Sequence, residues 1–538
     1  MKLFYTTVLT VLIFALSIPA QAQTTMNIPD NGDPAVPTDI FDVIMGDTAS
    51  DGTRNDPNTI YTLDNGVIYQ TTGRLVNKPD WPLQIQAVDL NNLTTKPILT
   101  RTPNATGNYP DIMRAEGDVT LLNLHIISGE KAAGEQHDWG KIRFLGPKTR
   151  VVVEDCIIEK DRGGFLQLRA DSVKMYVNNC ILRNGGNRKI REGNGRGIDS
   201  RNFAFDTLIV RNTIIHNIID RVFRSLGNTV PHNYIEFDRN TVFNAGGRHG
   251  TFVFELAKHV KVTNNLLINP MMLGDTPFNT DEQNNPDDGN MHIFTIDTLL
   301  ADTKFDIHHN NIFYTQDVID AWANTTIPDT IDRPVMPDVY SSLIKESMGD
   351  DTLNSYIMDV ITLNNVPQNI TQYVIDHYTD PGAEDMFDFV VEDSLAFGTA
   401  IDFGNLFKFS DFDPCYDAMS ASATAGEGGS SLGYVIGCAG LTNVNSIKDD
   451  INDLLNLTVA PNPFNQSTTI SYNLTRPGMV QMNVFDATGK VVSTLVNGPQ
   501  RVGEQRVEWT ANARLSSGLY FLVLKTDEGY MTKKMMLN

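Results

Sequence analysis

Residues 260–269 read VKVTNNLLIN, a short β-branched segment followed by two asparagines and an apolar segment. Six further segments repeat this order with small changes. They are VTLLNLHII from Val119, VVVEDCII from Val151, MYVNNCIL from Met175, LIVRNTII from Leu208, IEFDRNTVF from Ile235 and FDIHHNNIF from Phe305. Seven copies of one pattern indicate a structural repeat.

An asparagine or aspartate stands just before the apolar segment in each of the seven copies. These residues are Asn123, Asp155, Asn179, Asn212, Asn240, Asn265 and Asn310. Neighbours in this series are 24 to 45 residues apart, so the basic period is about 24 residues, which is typical of a solenoid. The β-branched composition favours short strands over helices.

Short strands with an asparagine at one bend are typical of a right-handed parallel β-helix. Asparagine tolerates the left-handed backbone conformation of such a bend, and its amide can hydrogen-bond to the same position of the next coil. The sequence therefore predicts an all-β chain whose coils, about 4.8 Å apart, bury an apolar column. The expected column is Ile126, Ile158, Leu182, Ile215, Phe243, Ile268 and Phe313. The alternative is a β-sandwich, but a sandwich does not require an asparagine at a fixed step.

The composition is that of a folded, exported protein. Hydrophobic residues make up 41% of the 538 residues, enough for a sizeable core. Lys2, an apolar stretch from Val8 to Ile18 and the Ala20-Gln21-Ala22 sequence predict a signal peptide over residues 1–22. No later stretch approaches the roughly 18 apolar residues of a membrane-spanning helix, so no membrane span is expected.

The net charge of −23 argues against nucleic acid and anionic membranes as partners. An acidic polysaccharide is compatible with this charge where a local basic patch binds it.

Composition shifts along the chain predict the domain boundaries. Residues 23–58 are rich in Pro, Asp, Gly and Thr and predict an N-terminal segment before a β-helix over 59–442. Two insertions are expected in the β-helix, near 274–300 and 315–390. The second has helix-like periodicity and suits a cap over the open end of the solenoid.

The four cysteines fall into two pairs. Cys415 and Cys438 are the better candidates for a disulfide bond in an exported chain. Cys156 and Cys180 should stack in adjacent coils, where the spacing allows a bond but two buried thiols are the commoner outcome.

The strand that precedes each repeat predicts a charged face. These strands read KIRFLG from Lys141, FLQLRA from Phe165, GIDSRN from Gly197, RVFRSL from Arg221 and TFVFEL from Thr251. Strand alternation is expected to turn the apolar residues inward, namely Ile142, Leu166, Ile198, Phe223 and Phe252.

The same alternation turns polar residues of these strands outward. They are Arg143, Gln167, Arg169, Asp199, Arg201, Arg224 and Glu255. The loop 187–197 adds Arg188, Lys189, Arg191 and Arg196 beside them. Because guanidinium groups bind carboxylates and sulfates bidentately, this face predicts a site for an acidic polysaccharide.

Three interpretations of the arginines stay open. They form a structural ladder with acids such as Asp161, Asp199, Asp220 and Glu255, they bind a glycan without catalysis, or they take part in lyase chemistry. An arginine base requires strong cationic crowding, because an isolated guanidinium barely titrates.

Other candidate sites are weaker. Strand alternation places His308 and His309 on opposite faces, which argues against joint metal ligation. His249 and His259 fit structural hydrogen bonds. The acidic cluster from Asp281 to Asp288 has oxygen ligands without the spacing of a calcium loop. The sequence thus defines no metal site and no certain cofactor, and it leaves Ca²⁺ open.

After a linker at 443–456, residues 457–538 alternate as in a small antiparallel sandwich. The PNPF opening, the VFDATGKVV centre, the LSSGLYFLVL strand and the basic end resemble the type A C-terminal sorting domain of the type IX secretion system of Bacteroidetes. This resemblance implies contact with the secretion machinery and export, with the protein secreted or attached to the outer-membrane surface.

Residues 59–440 are similar to secreted Bacteroidetes β-helix proteins with domains of unknown function in the pectate-lyase-like superfamily. The similarity lies in GGFLQLRA, VNNCIL, DRVFRS, AIDFGNLFKFSDFDP and GSSLGYVIG. Chondroitinase-B-type lyases place an arginine strand one coil after a lysine strand. Here Glu255 and Leu256 occupy the region where that comparison places the arginine.

In such lyases an arginine or lysine removes the proton next to a uronate carboxylate, and β-elimination follows. The resemblance and the charged face together predict a polysaccharide lyase with Arg201 or Arg224 as base. Arg143 and Arg169 would bind carboxylates, with Gln167, Asp199 and Glu255 also contacting the substrate. The alternative is a non-catalytic glycan-binding or adhesive surface protein.

Overall fold

The computed structural model describes residues 24–33, 36–102, 110–127, 142–186, 195–247, 249–275, 291–326, 333–366, 371–379, 413–442, 457–474, 478–486, 491–501, 503–512, 515–526 and 529–538. The predicted signal peptide, the basic residues Arg188, Lys189 and Arg191, and the cluster from Asp281 to Asp288 lie outside these ranges.

Three long parallel sheets make up the first part of the chain. Sheet one contains Thr25–Ile28, Ile60–Leu63, Leu83–Ala87, Val119–Leu122, Arg150–Glu154, Val173–Asn178, Phe205–Arg211, Tyr234–Asp238, His259–Thr263 and Lys304–His308. Sheet two contains Thr38–Asp39, Ile68–Thr71, Ile98–Arg101, His125–Ile127, Ile157–Glu159, Ile181–Gly185, Ile214–Ile218, Thr241–Ala245, Leu266–Ile268, Asn310–Phe313 and Tyr356–Ile357. Sheet three contains Leu75–Asn77, Met113–Ala115, Ile142–Phe144, Gly164–Leu168, Arg196–Arg201, Phe223–Leu226, Phe252–Phe254, His292–Ile296 and Asp338–Tyr340.

The chain visits the three sheets in turn. One coil, for example, runs through Arg150–Glu154 of sheet one, Ile157–Glu159 of sheet two and Gly164–Leu168 of sheet three. The next coil begins at Val173–Asn178, in parallel register with the first strand. The predicted parallel β-helix is confirmed.

The residues predicted to point inward from sheet three do so. Ile198 pairs with Phe223 and Phe223 with Phe252 in register, and all three are buried in the central core. Ile142 and Leu166 lie in the same core.

The predicted asparagine column is correct for the first four coils and shifted by one residue in the last three. Sheet-one register aligns Arg211 with Asp238, so Asn212 stacks on Arg239 rather than on Asn240. The left-handed position is thus shared by Asn123, Asp155, Asn179, Asn212, Arg239, Asn264 and His309, with φ between 45° and 58°.

Asn240, Asn265 and Asn310 belong to the next column, which points inward. The Asn240 amide donates to Asn265 Oδ1 at 3.0 Å, and the Asn265 amide donates to Asn310 Oδ1 at 3.0 Å. Cys156 and Cys180 begin this column and stay free, buried thiols. The amide ladder therefore satisfies the polar groups of these buried side chains.

Because of the same one-residue shift, the expected apolar column was wrong for its last three residues. Ile215 pairs with Val242, and Val242 with Leu267, so these residues point inward. Phe243, Ile268 and Phe313 instead point outward from sheet two.

A second series of left-handed asparagines ends the strands of sheet two. It consists of Asn184, Asn217, Asn244 and Asn269, with φ between 50° and 57°. The Asn269 amide donates to Asn244 Oδ1 at 3.2 Å, and the Asn244 amide donates to Asn217 Oδ1 at 3.1 Å.

Residues 413–442, which we call the strap, lie over the outer face of sheet two. Tyr434 N donates to Thr241 Oγ1 at 2.9 Å, and Val435 packs in one cluster with Ile181 and Ile214. A disulfide bond joins Cys415 and Cys438, as expected from the sequence. The apolar outer face of sheet two is thus covered by the chain's own later residues.

The N-terminal segment and the second insertion contribute the helices of the described residues. Helix α1 is Ile40–Gly46, capped by Asp39, which accepts from Phe41 N at 2.9 Å. Helices α2, α3 and α4 are Gln316–Asn324, Ser342–Met348 and Thr371–Thr379, and 3₁₀ turns occupy Gly349–Asn354, Ala421–Ala423 and Glu427–Gly429. Trp322 of α2 and Val374 of α4 pack with Met272 of the solenoid.

The C-terminal residues form two antiparallel sheets. One contains Thr458–Ala460, Ser467–Leu474 and Gly503–Thr510. The other contains Gly478–Asp486, Val491–Gln500, Gly518–Thr526 and Gly529–Leu537. Ile470 and Trp509 of the first sheet share a buried core with Met482 and Leu522 of the second, which makes this unit a sandwich.

Candidate functional site

The outer face of sheet three carries one column of charged side chains through consecutive coils. Register pairs Arg114 with Arg143, Arg143 with Gln167, Gln167 with Asp199, and Asp199 with Arg224. Above Arg224 the column continues with Val253. Arginines therefore do align along one wall, but Gln167 and Asp199 separate Arg143 from Arg224.

Asp199 is the acceptor at the centre of this wall. Both Nε and Nη2 of Arg224 lie 2.5 Å from Asp199 Oδ1, and Arg169 Nη2 lies 3.2 Å from Asp199 Oδ2. Arg169 Nη2 also donates to Gln167 Oε1 at 2.9 Å, and Arg143 Nε donates to the same oxygen at 3.3 Å. One connected network thus holds five of the predicted site residues together.

The charges in this network are strongly coupled. Burial alone would raise the pKa of Asp199, but Arg224 and Arg196 outweigh it and lower the pKa to about 2. Burial lowers the pKa of Arg169, and its neighbours Arg143 and Arg224 lower it further, whereas Asp199 opposes them. Asp199 is therefore a permanent anion around which the cations are arranged.

Asp111 plays the same part at the earlier end of the wall. It accepts from Arg114, and Arg74 Nε and Arg143 Nη1 lie 3.3 Å and 3.7 Å from Asp111 Oδ2. The sequence reasoning missed Asp111, Arg74 and Arg114. DIMRAE at 111–116 has the outward arginine of KIRFLG one coil earlier, and that signal could have extended the column.

A second buried network lies where the strands of sheet three begin. Asp220 is fully buried and binds Arg196 Nε at 2.9 Å, Arg221 Nε at 3.2 Å and His249 Nδ1 at 2.8 Å. Arg221 and His249 outweigh the effect of burial and hold the pKa of Asp220 well below its usual range. Burial lowers the pKa of Arg196 to about 10. His249 thus has the structural hydrogen bond that the sequence suggested.

The remaining predicted residues, Arg201 and Glu255, lie at the edge of the wall. Arg201 ends its strand beside Leu226, is exposed, and forms no ion pair among the described residues. Glu255 is half-buried and accepts from Asn228 N at 2.9 Å. Arg201 is therefore the predicted base whose guanidinium is open to a ligand, whereas Arg224 is buried and bound to Asp199.

The two adjacent histidines do not face opposite ways. His309 Nδ1 lies 2.7 Å from His308 Nδ1, because the left-handed backbone of His309, with φ of 53°, interrupts the strand alternation. His259, in contrast, is paired with Asp306 at 2.6 Å. The expectation of opposite faces for His308 and His309 was wrong.

Within the described ranges, one group of three cysteine and acidic side chains has the spacing of metal ligands, namely Asp413, Cys415 and Cys438. The disulfide bond between its two cysteines removes the thiolates that would bind a metal ion.

No described helix is both long enough and apolar enough to cross a membrane. Residues 458–538 match a family model described as "Secretion system C-terminal sorting domain". No curated protein matches the chain. The match covers the C-terminal sandwich, while the resemblance of the solenoid to the pectate-lyase-like superfamily stays a prediction. The protein is thus a parallel β-helix carrying a type IX sorting domain that engages the secretion machinery, and it is secreted or attached to the cell surface.

Proposed function

We propose that the protein binds an acidic polysaccharide along the outer face of sheet three. The observation that carries this proposal is the arginine wall in a chain of net charge −23. Five arginines, Arg114, Arg143, Arg169, Arg201 and Arg224, outnumber the three acids Asp111, Asp199 and Glu255 on this face. A local cationic surface of this kind attracts a polyanion despite the overall charge.

The exposure of the arginines divides their roles. Arg201 is exposed, and Arg143 and Arg169 expose 25% and 29% of their side chains, so these three contact carboxylates or sulfates. Arg224 exposes 7% and, with Asp199, acts from behind by fixing Arg169. Gln167 joins Arg143 to Arg169 and sets the spacing between them. Glu255 lies at the edge of the site, where it contacts hydroxyl groups.

Cleavage by β-elimination is the second candidate, favoured by a wall in which burial and then the neighbouring cations lower the pKa of one arginine, Arg169. We assign the base to Arg201 rather than Arg224, because Arg201 is exposed to a ligand whereas Arg224 is buried and paired with Asp199. In its neutral form, Arg201 takes the proton from the carbon next to the uronate carboxylate and becomes a guanidinium cation. The bond from the neighbouring carbon to the glycosidic oxygen then breaks, a carbon–carbon double bond forms, and the leaving oxygen takes a proton from water.

The test incubates the purified protein with pectate, alginate and glycosaminoglycans, with and without Ca²⁺. Binding is followed by calorimetry and cleavage by the ultraviolet absorbance of the unsaturated product. We expect Arg201→Gln to weaken binding by about tenfold, as loss of one charged hydrogen bond does. Lys174→Gln is the matched control, because it removes a half-exposed cation from the outer face of sheet one.

The outcomes separate the two candidates. Binding without new absorbance supports recognition and overturns cleavage, whereas new absorbance that disappears in Arg201→Gln supports both. No binding to any of these polymers overturns the proposed function, and equal weakening by Lys174→Gln removes the site from sheet three.

A further inference from the structure

The last strand of sheet one, Lys304–His308, ends at a pair of imidazoles on the surface. The Nδ1 atoms of His308 and His309 are 2.7 Å apart, and the two rings are nearly perpendicular, with an interplanar angle of 87°. His309 is exposed and His308 is half-buried. This pair lies on sheet one, away from the arginine wall of sheet three, and the proposed function makes no use of it.

Two ring nitrogens at this separation cannot both present lone pairs to each other. Either one nitrogen carries a proton and donates it to the other, or a cation binds both. Two nitrogens at about 2.0–2.1 Å from one metal ion are about 2.9 Å apart when they subtend a right angle at the metal. The observed separation of 2.7 Å is close to this value, and the His309 ring is exposed.

We propose that His308 and His309 chelate a divalent transition-metal ion through their two Nδ1 atoms. Imidazole nitrogen suits Cu²⁺, Ni²⁺ and Zn²⁺, and Cu²⁺ binds most tightly in this series and prefers right angles between its ligands. A neutral imidazole, the ordinary form of histidine above about pH 6.5, has its lone pair available for a metal ion.

The test uses the full chain without an oligohistidine tag. Binding of CuCl₂, NiCl₂ and ZnCl₂ is measured by calorimetry, and electron paramagnetic resonance counts the nitrogen ligands of bound Cu²⁺. We expect one ion per chain and two nitrogen ligands. His309→Asn should weaken binding by about tenfold or more, because one arm of the chelate is lost.

The variants are chosen so that the fold is preserved. Asparagine occupies the equivalent bend at Asn264 with φ of 58°, so His309→Asn keeps the backbone conformation. His259→Gln is the matched control, a histidine on the same sheet that should leave Cu²⁺ affinity within about twofold.

Two results would overturn the metal site. One is the failure of all three ions to bind the unmodified chain, which would mean that the histidines share a proton only. The other is unchanged affinity in a chain that carries both His308→Gln and His309→Asn.

Discussion

Sheets two and three of the solenoid have the same interior and opposite exteriors. Inward, both present stacked apolar residues such as Ile215 and Val242 in one and Ile198 and Phe223 in the other. Outward, sheet two presents Ile181, Phe243 and their neighbours beneath the strap, beside a buried ion pair of Arg183 with Glu159. Sheet three instead presents partly exposed arginines that are held by buried aspartates. Stacking fixes the inner side of a coil and leaves the outer side free to differ.

The difference shows how an outer face is adapted to a cover or to a ligand. An apolar outer face must be buried, and sheet two is covered by chain that returns from beyond the solenoid. A charged outer face needs no cover, but its charges must be neutralised, and sheet three does so with Asp111, Asp199 and Asp220. Sheet three is therefore the face on which an external anion can compete.

Removing the buried acid of sheet three should have the largest effect. Asp220→Ala leaves Arg196 and Arg221 buried without their carboxylate, and the free energy of unfolding should fall by about 3–5 kcal/mol. Urea unfolding followed by circular dichroism measures this change. Asp338→Ala is the control, since Asp338 forms an exposed ion pair with Lys345 that is worth about 0–1 kcal/mol. Equal effects of the two substitutions would show that the Asp220 network does not stabilise sheet three.

Releasing the cover of sheet two should have the next largest effect. Replacing both Cys415 and Cys438 by serine opens a crosslink between residues 23 positions apart, which should cost about 2–4 kcal/mol. The apolar outer face should then bind a hydrophobic dye such as anilinonaphthalene sulfonate. An unchanged urea midpoint together with no dye binding would mean that the strap is held without its disulfide bond.

Acid should weaken sheet three through Asp199. Its pKa is lowered to about 2 in the folded chain, so its stabilising contribution is complete above its unfolded pKa of about 4. The contribution, about 2–3 kcal/mol, is lost as the pH falls from about 4 to 2. The stability gap between the natural chain and Asp199→Asn should therefore narrow over this interval.

The control for the acid experiment is Asp206→Asn. Asp206 exposes 32% of its side chain and lies 3.6 Å from Lys174 on sheet one. The free energy of unfolding of Asp206→Asn should therefore stay close to that of the natural chain at every pH. If the difference in free energy of unfolding between the natural chain and Asp199→Asn stays constant down to pH 2, the arginines do not stabilise the Asp199 carboxylate.

The interior of the solenoid could be predicted from the sequence because β-branched residues and asparagines recur there at a regular spacing. The shift at Asn240, Asn265 and Asn310 could not, since an NN, RN or HN pair offers two candidates for the left-handed position. Arg239 and His309 occupy that position although neither is an asparagine. Only the pairing register between neighbouring strands decides the choice.

The outer faces were less predictable, because strand alternation indicates which side chains point outward but not which residues they contact. It correctly grouped Arg143, Gln167, Asp199 and Arg224 on one wall. Asp111 comes from outside the strands, and the strap reaches sheet two from almost 200 residues along the chain, with Tyr434 bound to Thr241. Contacts of such long sequence separation leave no periodic signal.

The smallest effect on stability is expected at Arg201, and it separates the ligand face from the structural network behind it. Arg201 is exposed, whereas Arg224 is buried against Asp199 in the neighbouring column. Arg201→Gln should leave the free energy of unfolding within about 0.5 kcal/mol of the natural chain, as surface substitutions do. Arg224→Gln should cost several times more, because it leaves Asp199 short of its closest partner. Urea unfolding of the two variants side by side tests this order. If Arg201→Gln loses as much stability as Arg224→Gln, then the outer face of sheet three stabilises the fold as the covered face of sheet two does, and Arg201 is not free for a ligand.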